Sequence, residues 1–355
     1  MIICFDQRNG NGCGEQNPNG TLFCRKCGVS LQFALPLHDP GVQINAYRIL
    51  RILGFGGFGA VYETEVIARP GIHVALKETF DPNSIRGFRS EFAVLQQLQH
   101  PNLPGYREMF EFQGNGYLVM ELIPGKDLEE IIENHQGSLA ESQVVGYAIQ
   151  LCDVLKYLHR QHPPILHRDI KPANIRLTPT GLIKLVDFGL LKQGVQTTRT
   201  TIRGAGTMIY APIEQYGSGG LHTDPRSDIY SLGATLYRLL TGQLPLAAGI
   251  RIASPSDPLP SPRNLNPNLS PHVADAIVKA MSLLQKDRYP DTETLKHALV
   301  GANQPYQIPL TIQVPLPTVA IQQSRKNDLP IWLIWIIILL TLRTSESHSV
   351  LHSPL

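Results

Sequence analysis

The sequence predicts an α+β protein of two lobes, a small antiparallel five-stranded sheet with one helix followed by a larger, mainly helical lobe. Three observations predict it. Short runs of alternating apolar and polar residues fill 47–120 and are broken by glycine-rich turns. After Ile123-Pro124-Gly125 the apolar spacing becomes that of helices. Residues 1–32 hold four of the five cysteines and few aliphatic side chains, so they form a separate small module that cannot build an apolar core alone.

The chain of 355 residues exceeds one average domain and can bury a sizeable core. With 43% hydrophobic and 17% charged residues it is globular, and a net charge of +2 gives no case for a nucleic-acid partner. Met1-Ile2-Ile3-Cys4 leads at once into Gly- and Asn-rich sequence rather than a secretory signal. A cytoplasmic chain with reduced thiols is therefore expected.

The elements follow in order. Cys4, Cys13, Cys24 and Cys27 are spaced C-x8-C-x10-C-x2-C. The Cys24–Cys27 half has the spacing of a zinc knuckle, and a zinc-ribbon-like module over 1–32 is expected, because so short a segment has little else to fold it. A redox-active thiol cluster and an unfolded tail are the alternatives. Residues 33–46, with the turn Asp39-Pro40-Gly41, read as a linker. Strands are expected at 47–53 and 59–64 around a glycine loop, then at 73–79, 110–112 and 117–120, with a helix over 88–98. Helices over 139–159, 225–240, 273–284 and 292–300 make the larger lobe, which takes in Cys152 as core, and the Pro-rich stretch 251–271 reads as a surface excursion. The recurring prolines of 301–328 suggest an extended linker, and 343–355 is a polar tail. The apolar run 329–342 follows Arg325-Lys326 and carries two tryptophans, which fits a membrane anchor entered from the cytoplasmic side. As a helix it spans only about 21 Å against roughly 30 Å of hydrocarbon, so an apolar terminal helix or an incomplete span also fits.

Gly54-Phe55-Gly56-Gly57-Phe58-Gly59-Ala60-Val61 has the pattern G-x-G-x-x-G-x-V, which alone is shared with dinucleotide-binding turns. Here a strand follows it rather than a helix. A glycine loop between antiparallel strands lies over a triphosphate, its amides near the phosphate oxygens. In Val74-Ala75-Leu76-Lys77, strand alternation puts Ala75 and Lys77 on one face, so Lys77 points with Val61 toward those phosphates. A buried lysine needs a counter-charge. Glu91 on the following helix is the natural one, since the competitors Glu78 and Glu108 fall on the outward phase of their strands.

His167-Arg168-Asp169-Ile170-Lys171-Pro172-Ala173-Asn174 is too polar for core and too proline-interrupted for helix, so it is a loop. Asp187-Phe188-Gly189 follows. Asp169 suits the acceptance of a hydroxyl proton, and Lys171 offsets charge on a transferring phosphoryl group. Asn174 and Asp187 offer the hard oxygen ligands that Mg²⁺ takes. Phe188 packs inward and Gly189 lets the backbone turn away.

From Tyr47 to Val300 this ordered set resembles a eukaryotic-type protein kinase of the serine/threonine kind, and the cysteine prefix is similar to the ribbon before many cyanobacterial kinases. The resemblance implies the bilobal kinase fold, with an N-lobe over 47–123 and a C-lobe over 124–300. It implies ATP and Mg²⁺ as cofactors (Mn²⁺ as the alternative ion) and protein Ser/Thr hydroxyls as substrates. Leu53, Gly54, Gly56, Gly59, Val61, Ala75 and Lys77 then line the nucleotide, with Met120 behind the adenine, Glu121 and Ile123 bonding it through the backbone, and Asp127 near the ribose. Asp169, Lys171, Asn174, Lys77 and Glu91 are the implied catalytic set. Arg168, Phe188, Gly189, Thr207, Asp228 and the pair Glu214–Arg288 are implied supports, although Ile213 stands in Ala211-Pro212-Ile213-Glu214 where the family usually has Ala-Pro-Glu. Thr197, Thr198, Thr200 and Thr201 lie in the segment the family phosphorylates, which implies autophosphorylation through a transient homodimer, with Arg168 as the receiving cation. The rival readings are a nucleotide-binding pseudokinase scaffold, a small-molecule phosphotransferase on the same fold, and a membrane-docked adaptor.

Overall fold

The computed structural model describes residues 1–6, 12–56, 59–79, 85–135, 137–188, 208–216 and 222–301, of which 56, 85–88 and 91 are described by their backbone alone. Strands β1 (Ile2–Asp6), β2 (Gln16–Asn17) and β3 (Ala34–Pro36) form an antiparallel sheet in the order β2-β1-β3. The second sheet takes β4 (Gln43–Ile44), β5 (Tyr47–Gly56), β6 (Gly59–Val66), β7 (His73–Thr79), β8 (Tyr106–Phe112) and β9 (Asn115–Met120) in the order β4-β5-β6-β7-β9-β8, with helix α1 (Ile85–Leu95) between β7 and β8 in sequence. The predicted five strands are present, and β4 adds a two-residue sixth at the edge.

A third small sheet joins β10 (Lys126–Asp127), β11 (Ile175–Leu177) and β12 (Ile183–Leu185). Around it stand α2 (Leu128–His135), α3 (Glu141–His159), α4 (Pro225–Thr241), α5 (Ala248–Ala253), α6 (Pro262–Leu265), α7 (Pro271–Ala280) and α8 (Thr292–Val300). Helix α4 is buried on nearly every side and is capped at both ends. Asp224 accepts from the Arg226 amide, Ser227 returns a bond to the Asp224 amide, Pro225 opens the first turn, and Gly242 closes the helix at φ 71°. Helix α7 ends at Ala280 rather than 284, and beyond it the Ser282 and Leu283 carbonyls accept from the Arg288 guanidinium.

Two predictions need correcting. The stretch 251–271 is not a plain surface excursion. Arg251 is 3% exposed and binds both oxygens of Asp257, the Tyr230 hydroxyl and the Met281 carbonyl, which ties the stretch to α4 and α7. Residues 33–46 are not a plain linker either. They supply β3, β4 and the buried Leu35, Leu37 and Ile44. With Ile3 these pack on Ile49, Tyr62, Val74, Leu76, Tyr117 and Val119, so the N-terminal residues form an extra layer on one face of the large sheet.

That layer changes the environment of Glu78. Its outward phase is as predicted, yet it is 2% exposed. It accepts from the Tyr62 hydroxyl at 2.8 Å, the Tyr117 hydroxyl at 2.7 Å and Asn115 Nδ2 at 2.8 Å, and it meets His38 Nε2 at 3.1 Å. Burial pushes its carboxyl up, but His38 and the two tyrosines outweigh that and hold it below its ordinary value.

The expected membrane-anchored localisation is also overturned. Among the described residues no helix is long and apolar enough to cross a membrane. The run 329–342 lies outside those residues.

Leu35→Ala is expected to cost about 2–4 kcal/mol of unfolding free energy, measured by denaturant titration, because a wholly buried side chain leaves a cavity between two sheets. Glu78 titrates lower when folded than its unfolded value of 4.5, so its stabilisation is complete above that pH and is lost as pH falls through and below it. Unfolding midpoints over roughly pH 3 to 6 should fall more steeply for the unaltered protein than for Glu78→Gln.

Candidate active site

The glycine loop is the hairpin between β5 and β6, in which Gly54 faces Val61, Phe55 faces Ala60 and Gly56 faces Gly59. Gly59 is required by close approach: a Cβ there would sit 1.8 Å from the Glu78 carbonyl oxygen. On the next strand Lys77 lies directly opposite Val61, and Ala75 opposite Met120. Ala75, Met120 and Ile123 are buried. The Glu121 amide donates to the Gly105 carbonyl at 2.7 Å, while its carboxylate takes Lys184 and the Gly105 amide, both at 3.0 Å. Asp127 Oδ1 accepts from the Glu130 amide and so caps α2.

Lys77 reaches across to the segment after β12. Its Nζ donates to Asp187 Oδ1 at 3.0 Å, which links the two lobes. The Lys77 ammonium holds the Asp187 carboxyl below the usual carboxylate range, against burial. Asp187 adopts φ 58°, a left-handed backbone that aspartate tolerates better than most residues. Glu91 lies on α1, but its side chain is outside the described atoms.

The catalytic loop hangs from α4. Asp228, wholly buried near the start of that helix, accepts the His167 and Arg168 amides, both at 2.9 Å. His159 at the end of α3 adds a third contact at 2.8 Å. Burial pushes the Asp228 carboxyl up, and the His159 contact and the backbone donors more than offset it, so the group stays ionised. Arg168 is held at φ 64° and donates to Thr223 Oγ1 at 3.0 Å. His167 is buried, which lowers its pKa. Its Nε2 meets the Val186 carbonyl at 3.1 Å, and its ring packs on Phe188 with centroids 4.7 Å apart.

On the far side of this loop Asp169 Oδ2 accepts from Lys171 Nζ at 3.2 Å and Asn174 Nδ2 at 3.0 Å. Asn174 Nδ2 also bonds the Asp169 carbonyl at 2.8 Å, which leaves its amide oxygen for another partner. Asp169 Oδ1 is buried and has no hydrogen-bond partner among the described residues. Buried carboxylate oxygens are nearly always satisfied, so an open one marks a place for a donor from outside. Arg288 binds Glu214 bidentately at 2.6 and 3.0 Å, with both side chains buried and Ser227 Oγ completing the group.

Gly189, Thr197, Thr198, Thr200, Thr201 and Thr207 lie outside the described residues. Two supports went unnoticed in the sequence. His159 is one histidine among several, and only the end of a helix shortly before His167 hinted at it. Lys184, which reaches the Leu103 carbonyl and Glu121, carries no local signal.

The four cysteines converge. Their Sγ atoms all lie within 4.8 Å of one another, with Cys4–Cys27 and Cys13–Cys24 each at 3.5 Å. Sulfurs about 2.3 Å from a central zinc in a tetrahedron stand about 3.8 Å apart, so the donor set fits that ion. Asn17, 1% exposed, donates to Cys24 Sγ at 3.7 Å and accepts from the Arg25 amide at 2.9 Å, which orients the knuckle.

Comparison with known proteins agrees with this geometry. The family model for the protein kinase domain matches residues 47–300. A probable serine/threonine-protein kinase PknB of Lactococcus lactis is 32% identical over 259 residues, 70% of this chain and 40% of that protein. Serine/threonine-protein kinase B of Synechocystis is 30% identical over 84% of this chain and 52% of its own length. PknA of Mycobacterium tuberculosis is 33% identical over 75% of this chain and 64% of its own. This chain thus spans between 40% and 64% of these three relatives. Among solved structures, the PknI kinase domain of Mycobacterium tuberculosis superposes with a TM-score of 0.58 at 25% identity, covering 74% of this chain and 98% of that one. PpkA-294 in its apo form gives 0.63 at 24%, covering 74% and 99%, a likeness of fold. The chain belongs to the protein kinase family, and its relatives are bacterial serine/threonine kinases.

Proposed function

We propose that this chain transfers the γ-phosphoryl group of ATP to serine and threonine hydroxyls of proteins. The observation that carries the reading is the divided carboxylate of Asp169. One oxygen is fixed by Lys171 and Asn174, and the other is buried and open. The fixed oxygen sets the orientation, and the open one accepts the proton of the attacking hydroxyl. Lys171, 3.2 Å from that carboxylate, offsets the charge on the group in transfer. Lys77 and the glycine loop hold the nucleotide phosphates, and the Glu121 carbonyl and Ile123 amide serve the adenine.

Asn174 and Asp187 would hold Mg²⁺. The fit rests on Asn174, whose NH₂ is spent on Asp169, and on Asp187, a carboxylate that the Lys77 ammonium keeps ionised. When bound, the ion neutralises phosphate charge. In phosphoryl transfer most of the protein's contribution is such positioning, and the Asp228 anchor supplies it here by fixing the backbone that carries Asp169.

Two finer readings accompany this one. The four cysteines bind one zinc ion that folds the N-terminal module. Phosphorylation in trans of Thr197, Thr198, Thr200 or Thr201 regulates activity, with Arg168 as the cation that receives the phosphate. Its Nε is buried without a partner among the described residues.

Purified protein given labelled ATP and Mg²⁺ should label itself or a protein acceptor, and Asp169→Asn should reduce that rate by about 10²–10⁴-fold. Equal labelling by both would remove the proposed role of Asp169. Replacing the four threonines together by alanine should lower the rate, and an unchanged rate would discard the regulatory reading. Zinc analysis should find one ion per chain. Its removal should open residues 1–46 to protease, whereas unchanged resistance would argue against a structural metal.

A further inference from the structure

Strand β1 has two faces with different duties. Cys4 is buried in a small cluster with Cys24 and Leu31, on the side of the sulfur site. Ile3 and Phe5 pack instead with the large sheet. Phe5 reaches the glycine loop itself: its ring meets Phe55 edge to face, with centroids 5.9 Å apart and planes at 79°. Phe55 lies on β5 between Gly54 and Gly56, opposite Ala60. Gly54 and Gly56 have more backbone freedom to lose on binding a nucleotide than other residues would have. Phe55 is a large side chain between them and is still 38% exposed, so Phe5 is a brace rather than part of a sealed core.

We propose that Phe5 is a positioning residue for the nucleotide, acting through Phe55 to hold the glycine loop in its binding conformation. The inference rests on the kinase reading of the cleft. Phe5 touches no reacting atom in this scheme. It lowers the ordering cost of binding by restricting the loop beforehand. Another attachment of the N-terminal layer, His38 to Glu78, lies on β7, the strand paired with β6. An edge-to-face pair contributes a modest, geometry-dependent attraction, so its loss is expected to weaken nucleotide binding about threefold to tenfold.

The test measures the affinity of a non-hydrolysable ATP analogue by calorimetry, and KM and kcat for ATP, in full-length protein. Phe5→Ala and Phe55→Ala should each weaken binding by that factor, the change falling on KM rather than on kcat. The double variant should be no weaker than either single one, since both remove the same contact. Phe5→Tyr keeps an aromatic edge and should restore most of the affinity. Unchanged affinity in Phe5→Ala, or additive losses in the double variant, would overturn the proposal. If Phe5→Ala lowers the melting midpoint of the module, Phe55→Ala decides, because it removes the contact from the loop side, and undiminished affinity there overturns the proposal. Differences in affinity without any phosphoryl transfer by the unaltered protein would instead reject the kinase reading while leaving Phe5 its role. Absence of nucleotide binding by the unaltered protein would reject both.

Discussion

A buried carboxylate near the start of a buried helix holds this molecule's chemistry in place. Asp228 accepts the two consecutive amides of His167 and Arg168 and the His159 ring. Two amides of an irregular loop beside the wholly buried Asp228 would otherwise lack partners, at a cost of about 1–3 kcal/mol each. A charge with no exposure would be far costlier without them. Loop and helix therefore satisfy one another. The positive φ of Arg168 is tolerated because both its neighbours in this arrangement are fixed. The same anchored backbone carries Asp169 and the His167 ring that packs, tilted at 48°, on Phe188.

A second ion pair plays the same part lower in the large lobe. Glu214 and Arg288 bury opposite charges, and Ser227 and three backbone carbonyls take up the remaining donors and acceptors. Buried pairs of this quality add less net stability than they cost to break. Their effect is to fix geometry: Glu214 ties the segment 208–216 to α4, the helix that carries Asp228. The departure at Ile213 leaves this link intact, because the isoleucine precedes the acid without sharing its contacts.

Much of this was legible beforehand because it depends on local rules. The strand His73–Thr79, residues 117–120 of the strand Asn115–Met120, the helix Thr292–Val300 and the start of α4 at Pro225 follow from alternation and helical spacing. Ordered motifs in the sequence singled out Lys77, Asp169, Lys171, Asn174 and Asp187, and the structure joins Lys77 to Asp187 and Asp169 to Lys171 and Asn174. What escaped depends on tertiary contact. Leu35 and Leu37 sit in a short stretch without periodicity, and only the large sheet beside them makes them core. Glu78 has the outward phase of its strand, and no local rule reveals that another layer covers that face. Arg251 looks like a surface arginine until Asp257 and Tyr230 come round to meet it.

The layer formed by β1, β3 and β4 has a practical meaning for anyone working with the catalytic portion. The stretch recognisable by family likeness starts at Tyr47, but the packing does not respect that border. Trimming there would strip the cover from Tyr62, Val74 and Tyr117 and take His38 away from the buried Glu78 carboxylate. The portion recognisable by likeness shares its core with the residues before it, and a recombinant fragment should keep everything from Met1 onward, since Met1 and Ile3 belong to that packing.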